Sequence, residues 1–460
     1  MNSILQEDNK NILSLLNATV DVAQDYFNQQ QDLPPGKFVN NIVLRDVPQQ
    51  GIGALKALEY FQKEYASQIT NSAGPRYMGF VTGGSTPASV IGDWLVSTYD
   101  QNACGSNDSI APQLEHQTIH FLKQLFGLDE VYFGSFVTGA TVSNFVSLAI
   151  ARQWVGEQSG RDFSSEGVDS SLIKIISATP HSSIIKSLSM LGIGRNALTK
   201  VDTLPDREAI DLNALETTFK QNPNHPFIVV ANAGTVNTVD FDDLKAIGKL
   251  KEKYKFWLHV DAAFGGFAAV SEKYVHLMEG VNHADSITID AHKWLNVPYD
   301  AAMQFTKHKN LQLKVFQNSA AYLGDPNQSP DFFHYTPENS RRWRGLPTWF
   351  TLMAYGKEGH REIVERNCSM AKKLGDWIKA STKFKLLSPV RMNVVCFTFN
   401  KENLSMEEIK TFLDKVRDDG NVFFTPTLYK GTPAIRAALS NWLTEEKDID
   451  ITTEVLQRIG

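Results

Sequence analysis

The chain has 460 residues, a formal net charge of -6 and a pI of about 6.0, a balance that argues for solubility and against a nucleic-acid or anionic-membrane partner. With 42% hydrophobic and 21% charged residues it has the composition of a folded globular protein. Its length calls for two or three substructures rather than one domain.

Cys104, Cys368 and Cys396 form no CxxC pair, which argues against a disulfide framework or a cysteine zinc site. The opening stretch, MNSILQEDNKNILSLL, puts acidic residues where a signal peptide would be basic. No run of about 18 apolar residues occurs, so no membrane span is expected. A reducing cytoplasm is the expected setting.

Ile12, Leu15, Leu16, Val20 and Val22 recur at helix-like spacing, and Tyr26 and Phe27 continue the stripe, which predicts a helix over 10–31. Leu33-Pro34-Pro35-Gly36 ends it. A second helix is expected around Leu55 to Tyr65. This front part, residues 1–84, has no strand run, so its apolar stripes must pack on the body of the chain or on a second subunit.

From 85 to 355 short β-branched runs alternate with helical stretches. The strands are expected at Leu172–Ser177, Phe227–Ala231, Phe256–Asp261 and Ser286–Asp290. Helices are expected at Ser182–Leu191 and Asp242–Lys253. This alternation predicts an α/β fold, with a mostly parallel sheet and helices on both faces. Such sheets bind ligands beyond the carboxyl ends of their strands. Residues 318–340 form a long loop rich in Pro, Asn, Asp and Gly, of a length that usually carries function or mobility. Residues 356–460 read as a small α+β domain: a helix from Arg361 to Thr382, then strands around Val394–Phe399 and Val422–Phe424.

Two strand ends carry the strongest chemical signal. FWLHVDAAFGG closes on Asp261, and ADSITIDAHKW places Lys293 three residues past its run. In a parallel sheet both would face one crevice. A lysine must be partly neutral to attack an aldehyde, and desolvation shifts its ammonium easily. An aspartate beside it would keep a pyridine nitrogen protonated, which is the arrangement a pyridoxal 5'-phosphate (PLP) site requires. Alone, an Asp–Lys pair at a sheet end is more often structural. The small residues Ala262 to Gly266 leave room for a flat ring, and they shift that balance.

A phosphate needs free backbone N–H groups at a helix start. Thr138-Gly139-Ala140-Thr141, followed by a buried helix from Val142 to Trp154, supplies them, and Thr235 is a second strand-end hydroxyl. His181, in Ala178-Thr179-Pro180-His181, also sits at a strand end, where it could stack on a ring or simply cap a helix. Competing motifs fail. Gly51-Ile52-Gly53 and Gly192-Ile193-Gly194 lack the third glycine of a dinucleotide fingerprint, and GxxxxGK[ST] and HExxH are absent. His276 and His283 have no cysteine or acid at metal spacing, so they read as surface histidines and no metal is expected.

The stretches PRYMGFVTGGSTPA (75–88), APQLEH (111–116), TGATVSN (138–144), ATPHSS (178–183), HVDAAFGG (259–266), DAHKW (290–294), ENSRRW (338–343) and IRAALSNW (435–442) together resemble the pyridoxal-dependent amino acid decarboxylases related to aromatic-L-amino-acid, histidine and glutamate decarboxylases. The resemblance implies the aspartate-aminotransferase-like fold (fold type I): a dimerisation segment, a large PLP domain and a small C-terminal domain, in an intertwined homodimer. It implies Lys293 as the Schiff-base lysine, Asp261 as partner of the pyridinium, and His181 and Ala263 on the two ring faces. Ala140, Thr141, Thr235, Asp290 and His292 match phosphate-side positions, and Phe80 and Thr82 match the segment facing the substrate. The implied reaction takes an L-amino acid, aromatic such as tyrosine, DOPA or tryptophan, to its amine and CO2.

The chain departs from that pattern twice. Where aromatic decarboxylases carry a loop tyrosine that returns a proton to Cα, the matching position is Phe332, with His334 and Tyr335 nearby. Tyr335 or His334 is expected to take the role; otherwise the resemblance tilts toward aldehyde synthases. Asp290 stands where the aromatic enzymes usually have Asn. Asn102 to Ser106, expected to enter the partner's site, is small and polar, which leaves acidic or small substrates open. An aminotransferase and a catalytically silent PLP-fold binding protein are the remaining alternatives, and intact Lys293, Asp261 and His181 argue against the silent one.

Overall fold

The computed structural model describes residues 1–105, 109–318 and 331–460. Ser106 and residues 319–330 of the long loop lie outside the described residues. Seven strands form the central sheet: β1 (Phe133–Val137), β2 (Lys174–Ser177), β3 (Leu198–Lys200), β4 (Phe227–Asn232), β5 (Phe256–Asp261), β6 (Ser286–Asp290) and β7 (Ala302–Thr306). Their order is β1-β7-β6-β5-β4-β2-β3. β4, β5 and β6 pair in parallel, and every one of their residues is buried. Alternate side chains serve opposite faces. Phe227, Val229, Leu258 and Val260 pack to one side. Ile228, Val230 and Trp257 pack to the other, against Val146 and Ile150 of the helix Ala140–Gln158. Burial on both faces is why these strands read as unbroken apolar runs.

β7 runs against both neighbours, the one reversed strand of this sheet among the described residues. The link from β6 to β7 covers only residues 291–301, shorter than a parallel crossover needs, so the chain returns alongside.

A second, antiparallel sheet contains β8 (Phe384–Leu386), β9 (Val394–Phe399), β10 (Thr425–Tyr429) and β11 (Thr432–Ala438), in the order β10-β11-β9-β8. Its core gathers Phe384, Phe397, Phe412 and Ile435. Residues 422–424, expected as a strand, carry one bridge, Tyr77 to Phe423, and the strand itself starts at Thr425. The helix expected from Arg361 begins at Gly345 and runs to Ala380. It breaks at Gly356, whose φ of 59° suits glycine, so the expected boundary at 355/356 falls inside one long element.

The front helices are Ser3–Lys10, Ile12–Gln29 and Ala54–Glu64; none of their residues is buried in the single chain. Leu13, Leu16, Val20 and Phe27 stay exposed. No described helix is long and apolar enough to cross a membrane.

Two interior histidines make stability depend on pH. Burial pushes His259 of β5 and His360 of the long helix down to about 4. Unfolded, both would take up protons near 6.5. Between those values the unfolded chain binds more protons, so stability falls as pH drops, by up to about 1.4 kcal/mol per pH unit for each group. Urea unfolding at pH 7 and pH 5 is expected to show the lower midpoint at pH 5, and the difference should shrink in His259→Gln. Equal midpoints would contradict this.

Candidate active site

The parallel register brings the chemistry together. Asn232 pairs with Asp261 across β4 and β5, and Asp261 pairs with Thr288 across β5 and β6. β6 then runs two residues further to Asp290, and the turn Ala291–Trp294 swings Lys293 back over the strand ends. Lys293, Asp261, His181, Ala263, Phe80 and Arg436 line one cleft of about 110 Å³.

Lys293 Nζ lies 2.9 Å from Asp290 Oδ2 and 5.6 Å from the centre of the Phe264 ring. Asp290 therefore faces the lysine rather than away from it. Its other oxygen, Oδ1, is buried without a partner among the described residues. His292 Nε2 is 3.8 Å from Asp290 Oδ2, its Nδ1 accepts the Ala301 N–H at 3.2 Å, and its ring packs on Tyr299. Burial holds His292 below the ordinary histidine value.

Asp261 is held at both oxygens. Asn144 Nδ2 donates to Oδ2 at 3.0 Å and the Ala263 N–H donates to Oδ1 at 3.2 Å. His181 caps the helix Ser182–Met190, its Nδ1 accepting the Ser183 N–H. The outer edge of its ring is exposed, yet the packed surroundings hold its pKa down, outweighing Asp261, which acts the other way.

The lysine turn is clamped from behind. Asn296 Nδ2 donates to Gly83 O at 2.6 Å and to Ser440 O at 2.8 Å. Gly83 comes so close that a Cβ there would sit 1.7 Å from Lys293 O, which only glycine permits. Just before it, Phe80 and Val81 take left-handed φ values of 56° and 63°. Each such residue stores roughly 1–3 kcal/mol, held here by the packing of buried Val81. Strain of this kind gathers at ligand sites.

Other expected residues fall differently. Ala140 and Thr141 open the helix Ala140–Gln158, and His292 approaches the neighbouring Gly139. Thr235, expected with them, lines the cleft beside Asp261 and His181 instead, because β4 ends two strands from β6. Its hydroxyl donates to Glu208 Oε2. Phe80 opens onto the cleft, whereas Thr82 is buried with its hydroxyl 3.3 Å from that of Tyr299. Tyr335 is not beside Lys293 in one subunit. It packs on Phe133, the first residue of β1, under Lys309. His334 and Phe332 are fully buried beside it. That is the amino end of β1, opposite the strand ends that carry the lysine. The segment 102–105 runs alongside: the Phe332 N–H donates to Cys104 O, and Asn102 Oδ1 accepts the Arg341 N–H.

Sequence reasoning missed Asn144, Asn296 and Arg436. Asn144 and Arg436 lie in the quoted stretches TGATVSN and IRAALSNW, but nothing in the sequence shows what they touch. Arg436 Nε and Nη2 are buried without partners among the described residues, and burial pushes the guanidinium down to about 10.

These residues suit PLP. A lysine, a doubly anchored carboxylate, a small residue, Ala263, in the cleft wall and N–H groups at a helix start are what the cofactor engages. The buried polar atoms left open, Asp290 Oδ1, Asn232 Nδ2 and the Arg436 nitrogens, fit a site built around a polar guest.

Comparison with known proteins agrees. The pyridoxal-dependent decarboxylase conserved domain matches residues 40–400. An aromatic-L-amino-acid decarboxylase of Bacillus atrophaeus is 25% identical over 448 residues, covering 94% of this chain and 91% of that protein. A 3,4-dihydroxyphenylacetaldehyde synthase of Aedes aegypti is 26% identical, covering 94% and 86%. The crystal structure of Oryza sativa TDC with PLP and tryptamine superposes with a TM-score of 0.90 at 20% identity, covering 98% of this chain and 97% of that one, which bears out the fold. The chain thus belongs to the pyridoxal-dependent decarboxylase family, and it is a PLP-dependent amino acid decarboxylase.

Proposed function

We propose that the substrate is an aromatic L-amino acid, converted to its amine and CO2. The observation that carries this is the cleft itself, where Lys293 and Asp261 open between Phe80, Val81 and Phe264. Lys293 would hold the cofactor, Asp261 its ring nitrogen, His181 and Ala263 its two faces, and the helix start at Ala140 and Thr141, with His292, its phosphate. When bound, PLP supplies the electron sink for the bond broken at Cα.

The chain's own part is to bind, orient and exclude water. Phe80, Val81 and Phe264 form an apolar wall that disfavours a carboxylate's charge and so favours its loss. Asn144 and the Ala263 N–H hold the Asp261 side chain in place through both its oxygens. The segment 102–105 would serve the other subunit's cleft in a homodimer, and the exposed stripe of the front helices is the apolar surface such a dimer would cover.

Arg436 favours a second reading. Pairing a guanidinium with the departing carboxylate would stabilise the reactant and oppose its loss. Its open nitrogens suit a carboxylate on the side chain, as in glutamate or aspartate.

The test is aerobic incubation of PLP-loaded protein with tyrosine, DOPA, tryptophan, histidine, glutamate and aspartate, assaying amine, CO2, aldehyde and peroxide together. Amine with stoichiometric CO2 from an aromatic substrate is expected. Turnover of glutamate or aspartate alone would establish the second reading. Aldehyde with peroxide would make the chain an aldehyde synthase.

A further inference from the structure

We propose that Asn144 is a positioning residue that holds His181 as a neutral imidazole with its proton on Nε2. The assignment follows from counting donors and acceptors along one hydrogen-bonded run behind the cleft. At the inner end, Trp257 Nε1 can only donate, and it lies 2.9 Å from Ser286 Oγ. The Ser286 hydroxyl also lies 2.9 Å from His259 Nδ1, and with two lone pairs it could accept there too. The Asn144 oxygen at the other ring nitrogen, fixed by the contact of the same amide with Asp261, is what places the proton of neutral His259 on Nε2. That Nε2–H donates to Asn144 Oδ1 at 3.0 Å.

The amide is fixed from the outer end. A carboxylate accepts only, so the Asn144 atom 3.0 Å from Asp261 Oδ2 must be the nitrogen. The same Nδ2 donates its second proton to Ser183 Oγ at 3.0 Å. Ser183 Oγ, already accepting, gives its one proton to His181 Nδ1 at 2.8 Å. The Ser183 backbone N–H needs an acceptor at that same nitrogen, 3.3 Å away. With Nδ1 accepting, the proton of neutral His181 sits on Nε2, the nitrogen left for the cleft.

Trp257, Ser286, His259, Asn144 and Ser183 are all buried, so water does not compete for these bonds. Burial also favours neutral rings at His259 and His181. Asp261, Lys293, Arg436 and Asp290 are the charged groups that act on His181. The consequence for catalysis rests on the proposed function: His181 would meet the substrate as a donor, with no lone pair on its cleft-side nitrogen. A merely space-filling Asn144 would leave the tautomer of His181 to the Ser183 backbone N–H alone, and its loss would not move the ratio.

Histidine-selective ¹⁵N NMR tests this on the full chain, with and without PLP, His181 being identified by the signal lost in His181→Gln. The wild type is expected to show Nε2–H for His181 at pH 7.5. Asn144→Ala and Ser183→Ala are each expected to shift the tautomer ratio roughly fivefold to tenfold toward Nδ1–H, the size one hydrogen bond supplies. Ser183→Ala keeps the Asn144–Asp261 contact, so it serves should Asn144→Ala fail to fold. A wild-type His181 protonated on Nδ1, or a tautomer ratio unmoved in the folded variants, would overturn the assignment. The readout does not pass through turnover, so failure of every candidate substrate would sink the proposed function and leave this assignment standing.

Discussion

Lys293→Ala is expected to lower turnover by roughly 10³-fold or more, because nothing else on the strand ends can supply the amine. Among the described residues Lys293 is the lysine that lines the cleft. The main chain of the variant keeps the Asn296 clamp, but buried Asp290 loses its cation, so circular dichroism and urea unfolding of the variant accompany the assay. Borohydride reduction followed by peptide mapping should fix PLP to the wild-type chain at Lys293 and to no residue of the variant. Wild-type turnover in Lys293→Ala would end the assignment of this lysine.

Arg341→Leu should lower the stability of the fold by about 3–5 kcal/mol. Arg341 Nη2 lies 2.6 Å from Glu115 Oε1, and both side chains are 0% exposed. Burial raises the Glu115 pKa and the guanidinium opposes that, so removing the arginine strands an acid in the interior. The same side chain donates to Phe136 O at 2.8 Å and lies over the Phe332 ring. Urea unfolding reads the loss. Adding Glu115→Gln should recover part of it by removing the stranded charge. A loss under about 1 kcal/mol would mean that the pair is not buried as described.

The parts of this chain legible in sequence are those where burial is uniform or where spacing is short. β5 and β6 were read end to end because both faces are buried. Asp261 and Lys293 were placed together because each closes such a run. β7 escaped notice because Gln304 interrupts it. That glutamine is buried in a polar pairing with Ser135 and Gln312, which hydropathy cannot reveal. β1, with Gly134 and Ser135, hid for the same reason.

The site was legible where residues act through neighbours in sequence and obscure where they act across the fold. Thr235 reads as a phosphate ligand by its turn, and the sheet order sets it in the cleft with Asp261 and His181. Arg436 enters the cleft from β11, and its open nitrogens are visible only once the small sheet is docked. Tyr335 stands close to Phe332 in the chain, and its burial against Phe133 depends on a contact just over two hundred residues away.

The Asn296 clamp has a bearing on the order in which the chain can become competent. Its amide joins main-chain carbonyls at residues 83, 293 and 440, so the lysine turn is tied to a segment made well after it. Contacts of such long sequence separation form late, after the entropy of closing the intervening loops has been overcome. The large sheet can thus assemble during synthesis while the turn carrying Lys293 remains untied. Maturation of the cofactor site would then wait for residue 440, and a chain stopped before it should hold PLP more weakly than the 460-residue chain.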